Sequence, residues 1–171
     1  TTRVPLALLE APWAREGRLL LLEPRRVAAR LAAGFMAETL GESVGETVGY
    51  RMRGESRVGP RTRLEVVTQG VLTRMLQEDP LLEGVAGILF DEFHERSLEA
   101  DLGLALALDA QSVRDELRLL VMSATLDVEA LLGVLGEGTP VIDCPGRTFP
   151  VATRYRALNA REETAPQQAR A

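Results

Sequence analysis

Apolar and polar positions follow two patterns along the chain: short unbroken apolar runs, and longer stretches with apolar residues at helical spacing. The opening, Thr1-Thr2-Arg3-Val4-Pro5-Leu6-Ala7-Leu8-Leu9-Glu10, is already helical in pattern, with two hydroxyl residues at its start and Pro5 tolerable in the first turn or so. It reads as a helix whose preceding loop lies outside the chain. Residues 18–23 form an apolar run expected as a buried strand. An Ala-rich helix follows, with Pro24 suited to its first position, running to about Leu40 and stopping near Gly41. Residues 47–51 read as a short strand, 53–60 as a polar turn region, and 63–67 as another strand. A helix over 71–76 ends at Asp79-Pro80. Val85-Ala86-Gly87-Ile88-Leu89-Phe90 is a strand buried on both faces; a strongly apolar helix covers 98–110, a buried strand 117–122, and a short helix 128–135. Late strands are expected at 140–143 and 149–155, before a polar end that reads as a linker or frayed end.

Strands alternating with helices predict an α/β fold: a mostly parallel central sheet with helices on both faces, three layers in all. Four of the strands run into polar clusters: Pro24-Arg25-Arg26, Thr68-Gln69-Gly70, Asp91-Glu92-Phe93-His94 and Ser123-Ala124-Thr125. In a parallel sheet these gather along one edge, where open α/β sheets place their chemistry. Asp91 and Glu92 are the most suggestive pair. One carboxylate there can hold Mg²⁺ through its water shell while its neighbour orients a water for attack. The same dipeptide is also what a solvated strand-to-helix turn contains. The only His of the chain, His94, stands three residues after Asp91.

Composition narrows the chemistry. The 171 residues suit one domain with a sizeable core. A single Cys, Cys144, and a single His disfavour disulfide and Cys- or His-based metal sites. No apolar run approaches a membrane span and no signal-peptide pattern opens the chain, so a cytoplasmic location is expected. The net charge of −5 means that any nucleic-acid contact must come from a local basic cluster. All 20 basic residues are Arg, so the Lys on which phosphate-binding loops rely is absent from these residues.

The ordered set of motifs resembles the first RecA-like domain of the DEAH-box superfamily 2 ATP-dependent helicases, and within them the bacterial HrpB-type group. The resemblance is carried by Leu22-Glu23-Pro24-Arg25-Arg26-Val27-Ala28-Ala29-Arg30, Val48-Gly49-Tyr50-Arg51-Met52-Arg53, and the run from Thr62 through Thr68-Gln69-Gly70 to Met75. It continues in Asp91-Glu92-Phe93-His94-Glu95-Arg96-Ser97, Met122-Ser123-Ala124-Thr125-Leu126-Asp127 and Gly146-Arg147-Thr148-Phe149-Pro150. The resemblance implies a RecA-like domain over 1–157, with most of its phosphate loop outside the chain, and a linker over 158–171 toward a second RecA-like domain. It implies ATP and Mg²⁺ as cofactors, with Asp91 holding Mg²⁺ through water, Glu92 polarising the attacking water and His94 linking the nucleotide site to the rest of the machine. Thr1 and Thr2 would end the phosphate loop, Thr1 offering its hydroxyl to Mg²⁺. Ser123 and Thr125 would couple hydrolysis to strand movement. Arg25, Arg26, Thr68 and Gly70 would lie against a nucleic-acid backbone, single-stranded RNA in preference to DNA.

Each role has a plainer alternative. Arg25 and Arg26 can be an exposed helix start, although the helix dipole disfavours cations there. His94 can simply hydrogen-bond a carbonyl, Ser123 and Thr125 can be helix caps, and Trp13 and the four Met residues read as packing. Two positions depart from the usual pattern: Phe93 replaces an Ala, as in the HrpB-type group, and Gln69 stands where an acidic residue is usual. The alternative to a helicase ATPase domain is a non-catalytic module that only binds nucleic acid or a protein partner.

Overall fold

The computed structural model describes residues 1–124, 128–136, 138–144 and 153. Thr1–Gly138 form one compact unit and Thr139–Ala171 a second. The first unit is built on a six-stranded sheet of β1 (Arg18–Leu22), β2 (Val48–Met52), β3 (Glu55–Arg57), β4 (Leu64–Val67), β5 (Val85–Phe90) and β6 (Arg118–Val121), in the order β3-β2-β4-β1-β5-β6. Every pairing is parallel except β2 with β3.

The central strands read as apolar runs because both faces of the sheet are covered. Along β1, Leu19 and Leu21 enter one core with the helix α2 (Arg26–Thr39), through Ala29, Ala33, Met36 and Ala37. Leu6, Leu8 and Leu9, in and just after the helix α1 (Arg3–Leu8), join the same layer. Leu20 and Leu22 point the other way, into a core with Leu72 and Leu76 of α3 (Gln69–Glu78) and Ala100, Leu104 and Ala107 of α4 (Leu98–Val113). Leu131 and Leu135 of α5 (Val128–Leu135) pack against this second core. The expected three-layer α/β sandwich is therefore present. Trp13 plays the packing role expected of it: its ring edge lies so close to β5 that a Cβ at Gly87 would be 3.0 Å from it.

Some local expectations need correction. The polar region after residue 53 hides a strand, β3, whose register is carried by backbone pairing of Tyr50 with Arg57 and Met52 with Glu55. Its Glu-Ser-Arg sequence has no apolar face to betray it, since β3 is an edge strand and exposed. Pro24 stands two places before the first residue of α2, with Arg25 as the extended N-cap. Thr2 occupies the N-cap position of α1 but is itself helical in backbone and makes no capping hydrogen bond. Residues 140–143 form no strand, and Ile142 is 88% exposed. Two apolar residues between a Pro that lacks an N–H and an Asp are too short a run to hold a ladder. Thr125, the stretch 146–150, most of the expected strand 149–155 and the linker 158–171 lie outside the described residues.

Candidate functional site

Because β4, β1, β5 and β6 are adjacent and parallel, their carboxyl ends lie side by side, and the polar clusters that follow them form one edge. At its centre is the loop after β5. The Asp91 N–H donates to the Leu22 carbonyl at 3.1 Å and the Phe93 N–H to the Met122 carbonyl at 3.2 Å, so the loop is tied to the ends of both neighbouring strands. The second bond also fixes the loop one residue before Ser123, which is half-buried at the end of β6.

Two residues of this loop hold left-handed backbone conformations that side chains disfavour: Glu92 at φ 51°, and Arg96 at φ 39°. Each costs of order 1–3 kcal/mol and persists only where the surroundings over-determine it. Phe93 does much of that. It is buried, meets Phe90 edge-on with ring centroids 6.2 Å apart, and carries the Arg96 guanidinium 5.4 Å above its ring. The departure from Ala at this position is thus a packing anchor. Ser97 ends the loop by accepting a 3.0 Å hydrogen bond from the Ala100 N–H, capping α4.

The carboxylates sit differently. Asp91 is buried: Oδ1 accepts from the Glu92 N–H at 3.0 Å, whereas Oδ2 is enclosed without a hydrogen-bond partner. The Thr1 nitrogen lies 3.7 Å from that oxygen, which brings the first residue of the chain to the same point. Glu92 is more open, and its Oε2 is 3.5 Å from His94 Nδ1. The ring therefore faces the Glu92 carboxylate.

Further along the edge, Arg25 and Arg26 are exposed at the start of α2, where each meets an acid. Arg25 pairs with Glu95 at 2.7 Å, joining the loop after β1 to the loop after β5, and Arg26 lies 3.9 Å from Glu55. The dipole objection to cations at this helix start is thus partly met within the chain. Thr68 is the extended N-cap of α3, and its side chain makes no capping bond. Gly70 is exposed and a Cβ there would meet nothing within 4 Å, so packing within this chain does not require a glycine.

One residue of the site was passed over as a mere part of a motif. Glu23, directly after β1, is 5% exposed, and its Oε2 has no hydrogen-bond partner. Burial, then the charges of Asp91, Glu92 and Glu95, push its carboxyl up to about 7. The signal was available as a charge ending an apolar strand, but without a tertiary neighbour it reads as the first polar residue of a turn.

Comparison with known proteins agrees with this geometry. No protein-family model matches the chain. It is 57% identical over 163 residues to the ATP-dependent RNA helicase HrpB of Escherichia coli, covering 95% of this chain and 20% of that protein. It is 37% identical over 160 residues to an ATP-dependent RNA helicase HrpA homolog of Haemophilus influenzae, covering 92% of this chain and 12% of the relative. The crystal structure of the Escherichia coli DEAH/RHA helicase HrpB superposes with a TM-score of 0.84 at 57% identity over 95% of this chain. The chain is a homologue of one part of the DEAH-box helicases. Its sheet and flanking helices are the RecA-like fold of that family, and it spans about one fifth of the length of HrpB.

Proposed function

We propose that the chain is the ATP-hydrolysing domain of an ATP-dependent RNA helicase, and that residues 1–157 form this RecA-like domain with 158–171 leading toward a second one. The observation that carries the reading is the convergence on one sheet edge of Asp91, Glu92, His94 and Thr1 with the exposed Arg25, Arg26, Thr68 and Gly70. A nucleotide side and a backbone-contacting side are thereby joined through adjacent strands.

The residues suit Mg²⁺. The orphaned Oδ2 of Asp91 lacks a hydrogen-bond donor, and Thr1 stands beside it. Among the described residues no three acidic, His or Cys side chains converge to hold a metal directly, which suits an ion that keeps several waters and shares its ligands with phosphates. When bound, Mg²⁺ neutralises charge on the phosphates. Asp91 then anchors the ion's water shell, and Glu92, steered by His94, orients the water for in-line attack. Arg25, Arg26, the Thr68 hydroxyl and the backbone at Gly70 grip phosphates of a single-stranded RNA without reading its sequence. Ser123, tied through Met122 to the hydrolytic loop, and Thr125 pass the change in nucleotide state to that grip. The whole protein works in the cytoplasm on this reading; among the described residues no helix is long and apolar enough to cross a membrane.

The test is RNA-stimulated ATP hydrolysis by the full-length protein. Glu92→Gln is expected to abolish turnover while sparing ATP binding. Undiminished hydrolysis in that variant overturns the role of Glu92, and RNA binding without any ATPase in the unaltered protein favours a non-catalytic module.

A further inference from the structure

The two buried carboxylates on this edge share a feature that the proposed chemistry uses only once. We propose that Glu23 is a second outer-shell carboxylate of the Mg²⁺ site, accepting a hydrogen bond from the ion's water shell beside Asp91. The inference rests on the reading of Asp91 given above and adds a residue to it.

Strands β1 and β5 pair with Leu22 abreast of Phe90, so Glu23 and Asp91 leave the sheet side by side. Both are more than nine-tenths buried, and each keeps one enclosed oxygen, Oε2 and Oδ2, without a hydrogen-bond partner. A buried acceptor left in this state has lost its water without replacement, which is costlier still when it is charged. Glu65, one strand away on β4, shows how the fold treats a carboxylate whose role is structural. It is fully buried, and Arg51 at 2.6 Å and Arg18 at 3.4 Å clamp its two oxygens. Among the described residues Glu23 has no such ion pair. Its electrostatic neighbours Asp91, Glu92 and Glu95 are all of its own sign. Arg25, two residues further along the chain, is held by Glu95 instead.

A site of this kind calls for a cation from outside the chain. A hydrated divalent ion fits, because it can answer Oε2 and Oδ2 together through its water molecules, with no need for the carboxylates to converge. Outer-shell acceptors of this sort orient a metal's inner shell, and losing one commonly weakens metal affinity by about 10–100-fold.

The experiment uses the full-length protein, a fluorescent ADP analogue and a Mg²⁺ titration, comparing the unaltered protein with Glu23→Ala, Glu23→Gln and Asp91→Asn. The quantity read is the Mg²⁺ dependence of nucleotide binding, each variant normalised to its own metal-free binding. The Mg²⁺ concentration for half-maximal tightening should rise about tenfold in Glu23→Ala and by less in Glu23→Gln, whose amide oxygen still accepts. Glu23→Gln keeps the side chain's shape, so it carries the test if the Ala variant loses its fold by circular dichroism. Wild-type Mg²⁺ dependence in the folded Glu23 variants, with Asp91→Asn weakened, overturns this inference alone. Wild-type dependence in Asp91→Asn as well overturns the reading of the metal site, and this inference with it.

Discussion

At the scale of single residues, the loop after β5 shows how a strained backbone is held by packing. Phe93 stands between the two left-handed residues' neighbourhoods and buries its ring against Phe90 and under Arg96. Phe93→Ala should lower the unfolding free energy by about 3 kcal/mol, the lower end for a buried Phe, as measured by urea denaturation of the full-length protein. It should also slow ATP turnover more than it weakens nucleotide binding, because Glu92 loses its fixed conformation. Glu23 sets a pH dependence. Its folded-state carboxyl is raised to about 7 from the ordinary value of 4.5, so the folded state holds a proton that the unfolded chain releases in that window. The contribution is fully present below about 4.5 and is lost as pH rises through about 7. In metal-free buffer, Glu23→Gln should remove this fall in stability between those limits, and thermal melts across the range would show it. A slope identical to that of the unaltered protein would count against the burial of Glu23.

At the scale of elements, the strand ends matter more than the strands. Four polar clusters follow four adjacent parallel strands, and the sheet order alone sets them side by side. The helix α3 makes a clear test because Gly70 sits in its first turn with open space around it. Gly70→Ala should stabilise the helix by up to about 1 kcal/mol, since nothing in the chain obstructs the added methyl. The same variant should weaken RNA binding if the backbone approaches phosphates closely there, and parallel melting and filter-binding measurements separate the two effects. Tighter RNA binding by the Ala variant would contradict the proposed contact. The hairpin of β2 and β3 was the element least visible in advance. Its second strand is three polar residues held by backbone pairing, and no periodicity announces it.

At the scale of the whole molecule, the net charge of −5 opposes nucleic acid, whereas the edge bearing Arg25 and Arg26 favours it. Both guanidiniums already face carboxylates, though at exposed positions where such pairs are weak and easily exchanged for phosphate. The 171-residue chain by itself should therefore bind single-stranded RNA weakly, with affinity falling steeply in a salt titration. It should hydrolyse ATP negligibly, because these residues include no Lys to cradle the phosphates. Robust hydrolysis by the isolated chain would contradict this account.

The amino-acid sequence determined the strand and helix alternation, the buried character of the central sheet and the motif set that names the family. These are local properties: apolar runs, helical spacing and short residue strings survive without knowledge of neighbours. It marked Asp91 and Glu92 as candidates because carboxylates ending a doubly buried strand are chemically conspicuous. It left their difference undecided, and only the tertiary structure enclosed one oxygen of Asp91 while leaving Glu92 open to His94. It also left Glu23 as one more polar residue in a turn. Burial, and the pairing that sets β1 beside β5, turned that residue into a buried carboxyl without an ion-pair partner, because solvation and like-charge repulsion depend on what the fold brings near.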